Sequence, residues 1–277
     1  MSDTPDTDPA TLVSSLCDDL ADEHTALDAK VADLDEDAWS TPTPAEGWSV
    51  RDQISHLTFF DVTARLAIED PERFREHVKE FASAAQRDRE LVGDTDLGRR
   101  VSGAELLDRW RRERAGLIAA ARSAPPGERV PWYAQPMSLA SFITARMMET
   151  WSHGQDVVDA LNREPVVSER LRHVCDIGVR ARRYAYLVNG LDDAGDPVRV
   201  ELTSPAGALW TWGPDDAADR VSGPALDFAL VATQRRHRAD TRLKVIGSTA
   251  DQWLAIAQTF AGPPGTRRRP GLRALAQ

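Results

Sequence analysis

One strongly apolar helical stretch, residues 139–161, limits what this chain can fold into, because it has to be buried and yet carries ionisable side chains at its centre. Its sequence is LASFITARMMETWSHGQDVVDAL. Glu149 and His153 lie four residues apart, so on a helix both side chains project from the same side, one turn apart. A glutamate is almost never fully buried without a partner. The stretch therefore predicts a helix inside a bundle that supplies a partner for the Glu149 carboxylate.

A second imidazole offers that partner through a shared metal ion. His56 lies in the segment WSVRDQISHLTFF of residues 48–60, which is also a helical run with phenylalanines around the histidine. His56, Glu149 and His153 would together form a three-ligand site with open positions. This arrangement is typical of a catalytic metal ion rather than of a closed structural one.

A plainer interpretation leaves the metal out. Arg146 lies three residues before Glu149 and is the rival partner for its carboxylate, and a histidine on an apolar helix is often satisfied by a backbone carbonyl. The remaining histidines stand in charged surroundings without a second ligand at helical spacing. We assign to solvent-exposed faces the four histidines His24, His77, His173 and His237.

Two aspartates are candidates for orienting the imidazoles. Asp52 lies one turn before His56, and Asp156 lies one turn after His153. Either carboxylate could accept a hydrogen bond from the ring nitrogen that does not face the ion. For Asp52 a helix-capping role together with Ser49 is the competing interpretation.

The order of apolar patterns predicts two domains. Four amphipathic helices with proline-bearing connections favour a helical bundle over residues 10–162, in which residues 70–100 form a partly helical, mostly exposed connection. From residue 163 the pattern changes to a mixture of helix and alternating strand. We expect a small α/β domain over residues 163–262, with a β-hairpin at 198–213, a strand at 243–247, a last helix capped by Ser248, and a flexible tail at 263–277.

Composition excludes several classes of partner. The chain of 277 residues has a net charge of −10, which argues against a nucleic-acid backbone as the main partner. We interpret the basic run TRRRP at 266–270 as a solvated tail rather than a binding patch. No apolar run approaches the roughly 18 residues of a membrane span, and the acidic start is unlike a secretory signal, so we expect a cytoplasmic protein. Cys17 and Cys175 lack metal-binding spacing, which leaves nitrogen and oxygen donors for any metal.

The helix order and two short runs resemble the mycothiol-dependent maleylpyruvate isomerase family. These runs are GWSVRDQISH at residues 47–56 and ETWSH at residues 149–153, and the resemblance extends over residues 10–262. It implies an α+β fold, with an N-terminal DinB-like four-helix bundle and a small C-terminal α/β domain related to sterol-carrier-like folds. It is specific for the metal-binding bundle and much less specific for one reaction.

The resemblance also implies a chemistry. In the family a metal, usually zinc, is held by His, Glu and His in this chain order, which corresponds to His56, Glu149 and His153. A low-molecular-weight thiol of the mycothiol type adds as a thiolate to an electrophilic carbon, and an arginine of the C-terminal domain holds the anionic substrate. Arg235 and Arg236 are the candidates for that arginine. We therefore expect a zinc-dependent or other divalent-metal-dependent thiol transferase or isomerase, and the alternative is a non-catalytic metal or thiol sensor or an interaction protein.

Overall fold

The computed structural model describes residues 8–87, 95–133, 135–193, 195–265 and 268–271. The chain divides into two compact units, Met1–Arg163 and Glu164–Gln277. The first unit is mainly helical, and the second combines helices with a four-stranded sheet. This is the α+β fold class predicted from the sequence. None of the described helices combines the length and the apolar character needed to cross a bilayer.

The first unit is built around four long helices. They are connected by shorter elements, and a small antiparallel pair of strands precedes the last helix. In chain order the elements are α1 (Pro9–Val31), α2 (Glu36–Trp39), α3 (Val50–Glu69), α4 (Pro71–Arg87), α5 (Asp96–Arg100), α6 (Gly103–Ser123), β1 (Arg129–Val130), β2 (Met137–Ser138) and α7 (Leu139–Ala160). Helices α1 and α3 each pack against both α6 and α7. These four helices therefore form the predicted bundle.

Local capping signals explain where two of these helices begin. The Ser49 N–H donates to the Asp52 carboxylate over 2.8 Å at the start of α3. At the start of α6 the Ser102 N–H donates to Glu105 over 2.9 Å, and the Glu105 N–H donates back to the Ser102 hydroxyl over 3.3 Å. These contacts satisfy backbone groups that a helix leaves unpaired in its first turn. The capping role predicted for Asp52 is confirmed.

The described parts of the connection predicted over residues 70–100 are helical and mostly exposed, as expected, and residues 88–94 lie outside the described residues. Most of its first part is α4, which is 17 residues long, and its end is the short α5. Phe74 on α4 is only 1% exposed and packs into the bundle core. Phe81, on the same helix, lies 5.8 Å from Phe59 between ring centroids, so a few apolar side chains anchor a helix whose other residues are mostly polar.

Among the described residues, the bundle core contains two apolar clusters and several buried polar side chains. On α1, Leu20 belongs to one cluster and Leu27 to the other. His24 lies between them in the chain and is 2% exposed, and Asp61 on α3 is fully buried. We call four buried side chains that contact one another the polar layer: His24, Asp61, Trp110 and Arg146. The prediction of a solvent-exposed His24 was wrong.

The second unit contains a mixed sheet covered by helices. Its elements are α8 (Leu171–Arg180), α9 (Arg182–Val188), β3 (Val198–Thr203), β4 (Leu209–Trp212), β5 (Asp219–Pro224), α10 (Ala225–Ala232), β6 (Lys244–Ile246) and α11 (Ser248–Ile256). The strand order is β4-β3-β5-β6, in which β3 and β4 form an antiparallel hairpin and β3 and β5 are parallel. The hairpin and the strand predicted at 243–247 are confirmed, whereas β5 was not predicted.

The start of α11 differs from the prediction. Ser248 is the first residue of the helix rather than its cap, and Gly247 precedes it with φ +91°. The Asp219 carboxylate of β5 accepts a hydrogen bond of 2.8 Å from the Ala250 N–H. A Cβ at Gly247 would lie 2.2 Å from that carboxylate, so glycine leaves the space that this long-range cap needs.

The flexible tail predicted at 263–277 is only partly within the described residues. Residues 266–267 and 272–277 lie outside them. Within them, the Gly271 N–H donates to the Asp240 carboxylate over 2.8 Å. This contact joins one point of the predicted tail to the second unit.

Candidate metal centre

The three predicted ligands come together inside the bundle. His56 lies about two turns into α3, and Glu149 and His153 lie on α7. The His153 Nε2 atom is 3.3 Å from Glu149 Oε2, and the ring centroids of His56 and His153 are 4.3 Å apart. One donor atom from each residue lies within 4.8 Å of the other two. The fold therefore brings together side chains that are almost a hundred positions apart in the chain.

The donor set fits a divalent ion such as zinc. Two imidazole nitrogens and a carboxylate oxygen are donors that zinc accepts at about 2.0–2.2 Å, so two ligand atoms of one tetrahedral ion lie about 3.3–3.6 Å apart. His153 Nε2 and Glu149 Oε2 already lie 3.3 Å apart. Because the three donor atoms lie within 4.8 Å of one another, the remaining separations have to close by at most about 1.5 Å, roughly the scale of a side-chain rotation. Metal binding by these residues stays a prediction that their geometry permits.

The orientation of His153 is set by a residue that the sequence analysis did not single out. His153 Nδ1 is 2.5 Å from Oε1 of Gln53, a side chain that is fully buried on α3. The Gln53 amide nitrogen donates to Thr43 Oγ1 over 2.9 Å, and that hydroxyl donates to the Trp48 carbonyl over 2.9 Å. Because the amide nitrogen is used in this chain of bonds, its oxygen faces the imidazole, which places a proton on Nδ1 and turns Nε2 toward Glu149 and the site.

Asp156 had been the candidate for this orienting role, and the structure shows Gln53 at the Nδ1 atom instead. Asp52 makes the cap at the start of α3 and also accepts a hydrogen bond from Arg99 Nε over 3.2 Å. In a sequence, a glutamine within an apolar helix does not indicate that it orients a metal ligand. Its partner is determined by how two helices are rotated against each other, which spacing along one helix does not reveal.

Aromatic rings pack on the two imidazoles. Trp48 stacks on His153 with ring centroids 5.9 Å apart, and it is tilted against His56 at 5.2 Å. Phe60, one turn after His56, lies 4.6 Å from the same imidazole. Trp132 and Tyr133 lie next to Phe60, further from the imidazoles; the ring centroid of Tyr133 is 5.7 Å from that of Phe60. The rings restrict the imidazoles to a narrow range of orientations and cover parts of their faces.

The charge at Glu149 depends on its neighbours. Burial alone raises the pKa of the Glu149 carboxyl, but the hydrogen bond and the charge of His153 outweigh it, and with Arg146 and His56 they lower the pKa to about 2. The carboxylate is therefore ionised at neutral pH. Arg146 bonds to Asp61 over 2.9 Å, which replaces the Arg146–Glu149 pair of the plainer interpretation.

The other predicted site residues lie elsewhere. Arg235 and Arg236 follow α10 in the second unit, where Arg235 Nη1 donates to the Thr233 carbonyl over 2.8 Å. Their role toward an anionic substrate stays a prediction. His77 is half-buried among aromatic rings, and its Nε2 lies 3.0 Å from the Tyr133 hydroxyl. The placement of His77 on a solvent-exposed face was therefore wrong, and His173 and His237 are half-buried as well.

Comparison with solved structures shows which known proteins share this architecture. The crystal structures of the mycothiol-dependent maleylpyruvate isomerase and of one of its mutants match with a TM-score of 0.55 and 14% identity, covering 92% of this chain and 97% of that chain. At this identity the likeness shows a shared fold. It agrees with the bundle and the small α/β unit described above.

Sequence comparison identifies relatives and a family. Two uncharacterized proteins of Mycobacterium tuberculosis, MT0041 of strain CDC 1551 / Oshkosh and Rv0036c of strain H37Rv, are each 45% identical over 252 residues, which is 90% of this chain and 96% of theirs. A family described as wyosine base formation matches residues 194–244. The family described as mycothiol maleylpyruvate isomerase N-terminal domain matches residues 20–158, half of the chain and most of the bundle. The chain therefore belongs to the mycothiol maleylpyruvate isomerase family.

Proposed function

We propose that this protein is a zinc-dependent enzyme that uses a low-molecular-weight thiol of the mycothiol type to transfer a group to, or isomerise, a small electrophile. The observation that supports this most strongly is the convergence of His56, Glu149 and His153 within 4.8 Å in a family whose named member depends on mycothiol. Three protein ligands leave positions open for a thiol or water. A closed four-ligand site would not have that capacity.

The residues around the site have separate roles in this proposal. A divalent ion lowers the pKa of a thiol or water that is bound to it, so that a nucleophile can form at neutral pH. Glu149, ionised at neutral pH, supplies the one anionic ligand, and Gln53 holds the His153 ring with Nε2 toward the site. Trp48 and Phe60 limit the approach of water to the faces of the imidazoles. Arg235 and Arg236 would bind the anionic end of the electrophile.

The test of this function combines metal content with turnover. Purified protein is analysed for zinc by elemental mass spectrometry, for a retained thiol by mass spectrometry, and for thiol-dependent consumption of a panel of small electrophiles. We expect about one zinc per chain and turnover that requires both the thiol and the metal. Zinc at full occupancy without thiol binding or turnover would favour a sensor, and protein that binds no divalent metal would contradict both functions.

Arg235→Ala and Arg236→Ala should leave zinc content unchanged and weaken turnover of anionic electrophiles.

Gln53 gives a prediction specific to this site. Gln53→Met keeps the length of the side chain and removes the acceptor for His153 Nδ1–H, so we expect zinc affinity to fall about 10- to 100-fold, the usual cost of losing a partner that orients a ligand. Affinity is measured by competition with a chromophoric chelator. The matched control is Gln155→Met, since Gln155 is also buried but bonds to Asp159. Equal affinities of wild type and Gln53→Met would show that the orientation of His153 does not depend on this bond.

A further inference from the structure

The polar layer one turn from the candidate metal centre contains an ion pair to which the proposed function assigns no role. Asp61 on α3 has no exposed side-chain surface, and Arg146 on α7 has a side chain that is 4% exposed. Arg146 Nη2 donates to Asp61 Oδ1 over 2.9 Å, and Trp110 Nε1 donates to Asp61 Oδ2 over 3.2 Å. Both carboxylate oxygens are therefore engaged, and one of them fixes the guanidinium.

The position of Arg146 makes this arrangement relevant to the metal. Arg146 and Glu149 are three residues apart on α7, a spacing at which side chains on a helix can pair. A planar guanidinium also matches a carboxylate with two parallel hydrogen bonds, so a guanidinium without Asp61 would turn toward the nearest other carboxylate.

Such a turn would oppose metal binding in two ways. It would use carboxylate oxygens of Glu149 that a metal ion needs, and it would bring a permanent positive charge next to a divalent cation. In the observed arrangement Glu149 Oε2 faces His153 Nε2 at 3.3 Å instead. Asp61 thus holds Arg146, and the Glu149 carboxylate stays available to a metal ion.

We propose that Asp61 is a positioning residue of the metal centre, which holds the Arg146 guanidinium and thereby leaves Glu149 available as a ligand. This inference rests on the proposed metal-dependent function. It differs from a purely structural ion pair in one consequence: Asp61 matters for zinc only as long as Arg146 is present. Removing the arginine should make the aspartate dispensable for metal binding.

The test is a double-mutant cycle on zinc affinity. Asp61→Asn keeps the shape of the side chain and an oxygen for the Trp110 N–H, but it loses the negative charge that holds Arg146. We expect zinc affinity to fall about tenfold in this variant, within the range usual for coupled sites. Arg146→Met should bind zinc at least as well as wild type, and Asp61→Asn/Arg146→Met should return to within about threefold of the wild-type value.

Controls separate this role from general destabilisation. Asp28→Asn perturbs another Arg–Asp pair of the bundle, in which Arg114 Nη2 donates to Asp28 over 2.6 Å, and it should leave zinc affinity unchanged. Folding of each variant is followed by circular dichroism. The absorption spectrum of bound Co²⁺ reports the ligand set, and it should change in Asp61→Asn and return to the wild-type form in the double variant.

The outcomes distinguish the inference from the function on which it rests. Wild-type protein that binds no zinc defeats the proposed function. Wild type that binds zinc, with no change in Asp61→Asn or with a loss that Arg146→Met does not rescue, overturns only the role of Asp61. Should Asp61→Asn fail to fold, Arg146→Met alone decides, because a fall in its zinc affinity would mean that the arginine supports the centre and would contradict the proposal.

Discussion

Replacing His56 by Ala is expected to lower zinc affinity about a hundred- to a thousandfold. Structural zinc sites with four protein ligands bind with roughly 10–16 kcal/mol, so one ligand corresponds to about 2.5–4 kcal/mol, or about a hundred- to a thousandfold in affinity. His153→Ala should have a similar effect. Glu149→Gln keeps the size and a weak oxygen donor but removes the one anionic ligand, so the net charge of the occupied site rises from about +1 to +2 and affinity falls as well.

These variants are compared by chelator competition and by zinc content after dialysis. His173→Ala is the matched control, because His173 is a half-buried histidine outside the three-residue group. Zinc binding at wild-type strength in His56→Ala, Glu149→Gln and His153→Ala alike would rule out this centre as the metal site. A loss in one variant only would point to a different ligand set.

The part of the site that could be predicted depends on local spacing. Glu149 and His153 share a helix face because of the helical repeat, and His56 was chosen because it lies in another apolar helical run. Gln53 and the Asp61–Arg146 pair were missed, since their roles depend on the rotation of α3 against α7. The same pair explains why Arg146 is not the partner of Glu149 although the sequence spacing allows it.

The fold shows the same division between local and long-range information. The caps at Ser49 and Ser102 involve residues three positions apart, and both were predictable. The cap of α11 comes from Asp219, 31 positions before the N–H that it accepts, and it was assigned to the adjacent Ser248 instead. Strand β5 was missed for a related reason. It ends in Gly-Pro, which indicates a turn, and it pairs with β3, from which it is separated in the sequence by strand β4.

His24 is expected to make the free energy of unfolding depend on pH between about 6.5 and 4. Burial lowers the pKa of His24 to about 4, the charges of Arg114 and Arg146 act in the same direction, and Asp61 opposes them. Both ring nitrogens lie in the interior without a hydrogen-bond partner among the described residues. In this pH range the unfolded chain binds a proton that the native state does not, so stability is lost as the pH falls. A pKa of about 4 in place of the ordinary 6.5 corresponds to about 3 kcal/mol of stability between neutral and acidic pH.

His24→Phe should remove this contribution. A phenyl ring can keep the edge-to-face contact with Trp110, in which the ring centroids are now 5.9 Å apart, and it carries no polar atom to bury. The measurement is denaturant unfolding of wild type and variant at several pH values from 7.5 to 4.5, compared as the difference between the two proteins so that the titration of other groups cancels. His237→Phe makes the same chemical change in the second unit and serves as the control. If His24→Phe lost stability on acidification as steeply as wild type, the proton taken up on unfolding would have to belong to another group, and a neutral His24 in the polar layer would be the wrong description.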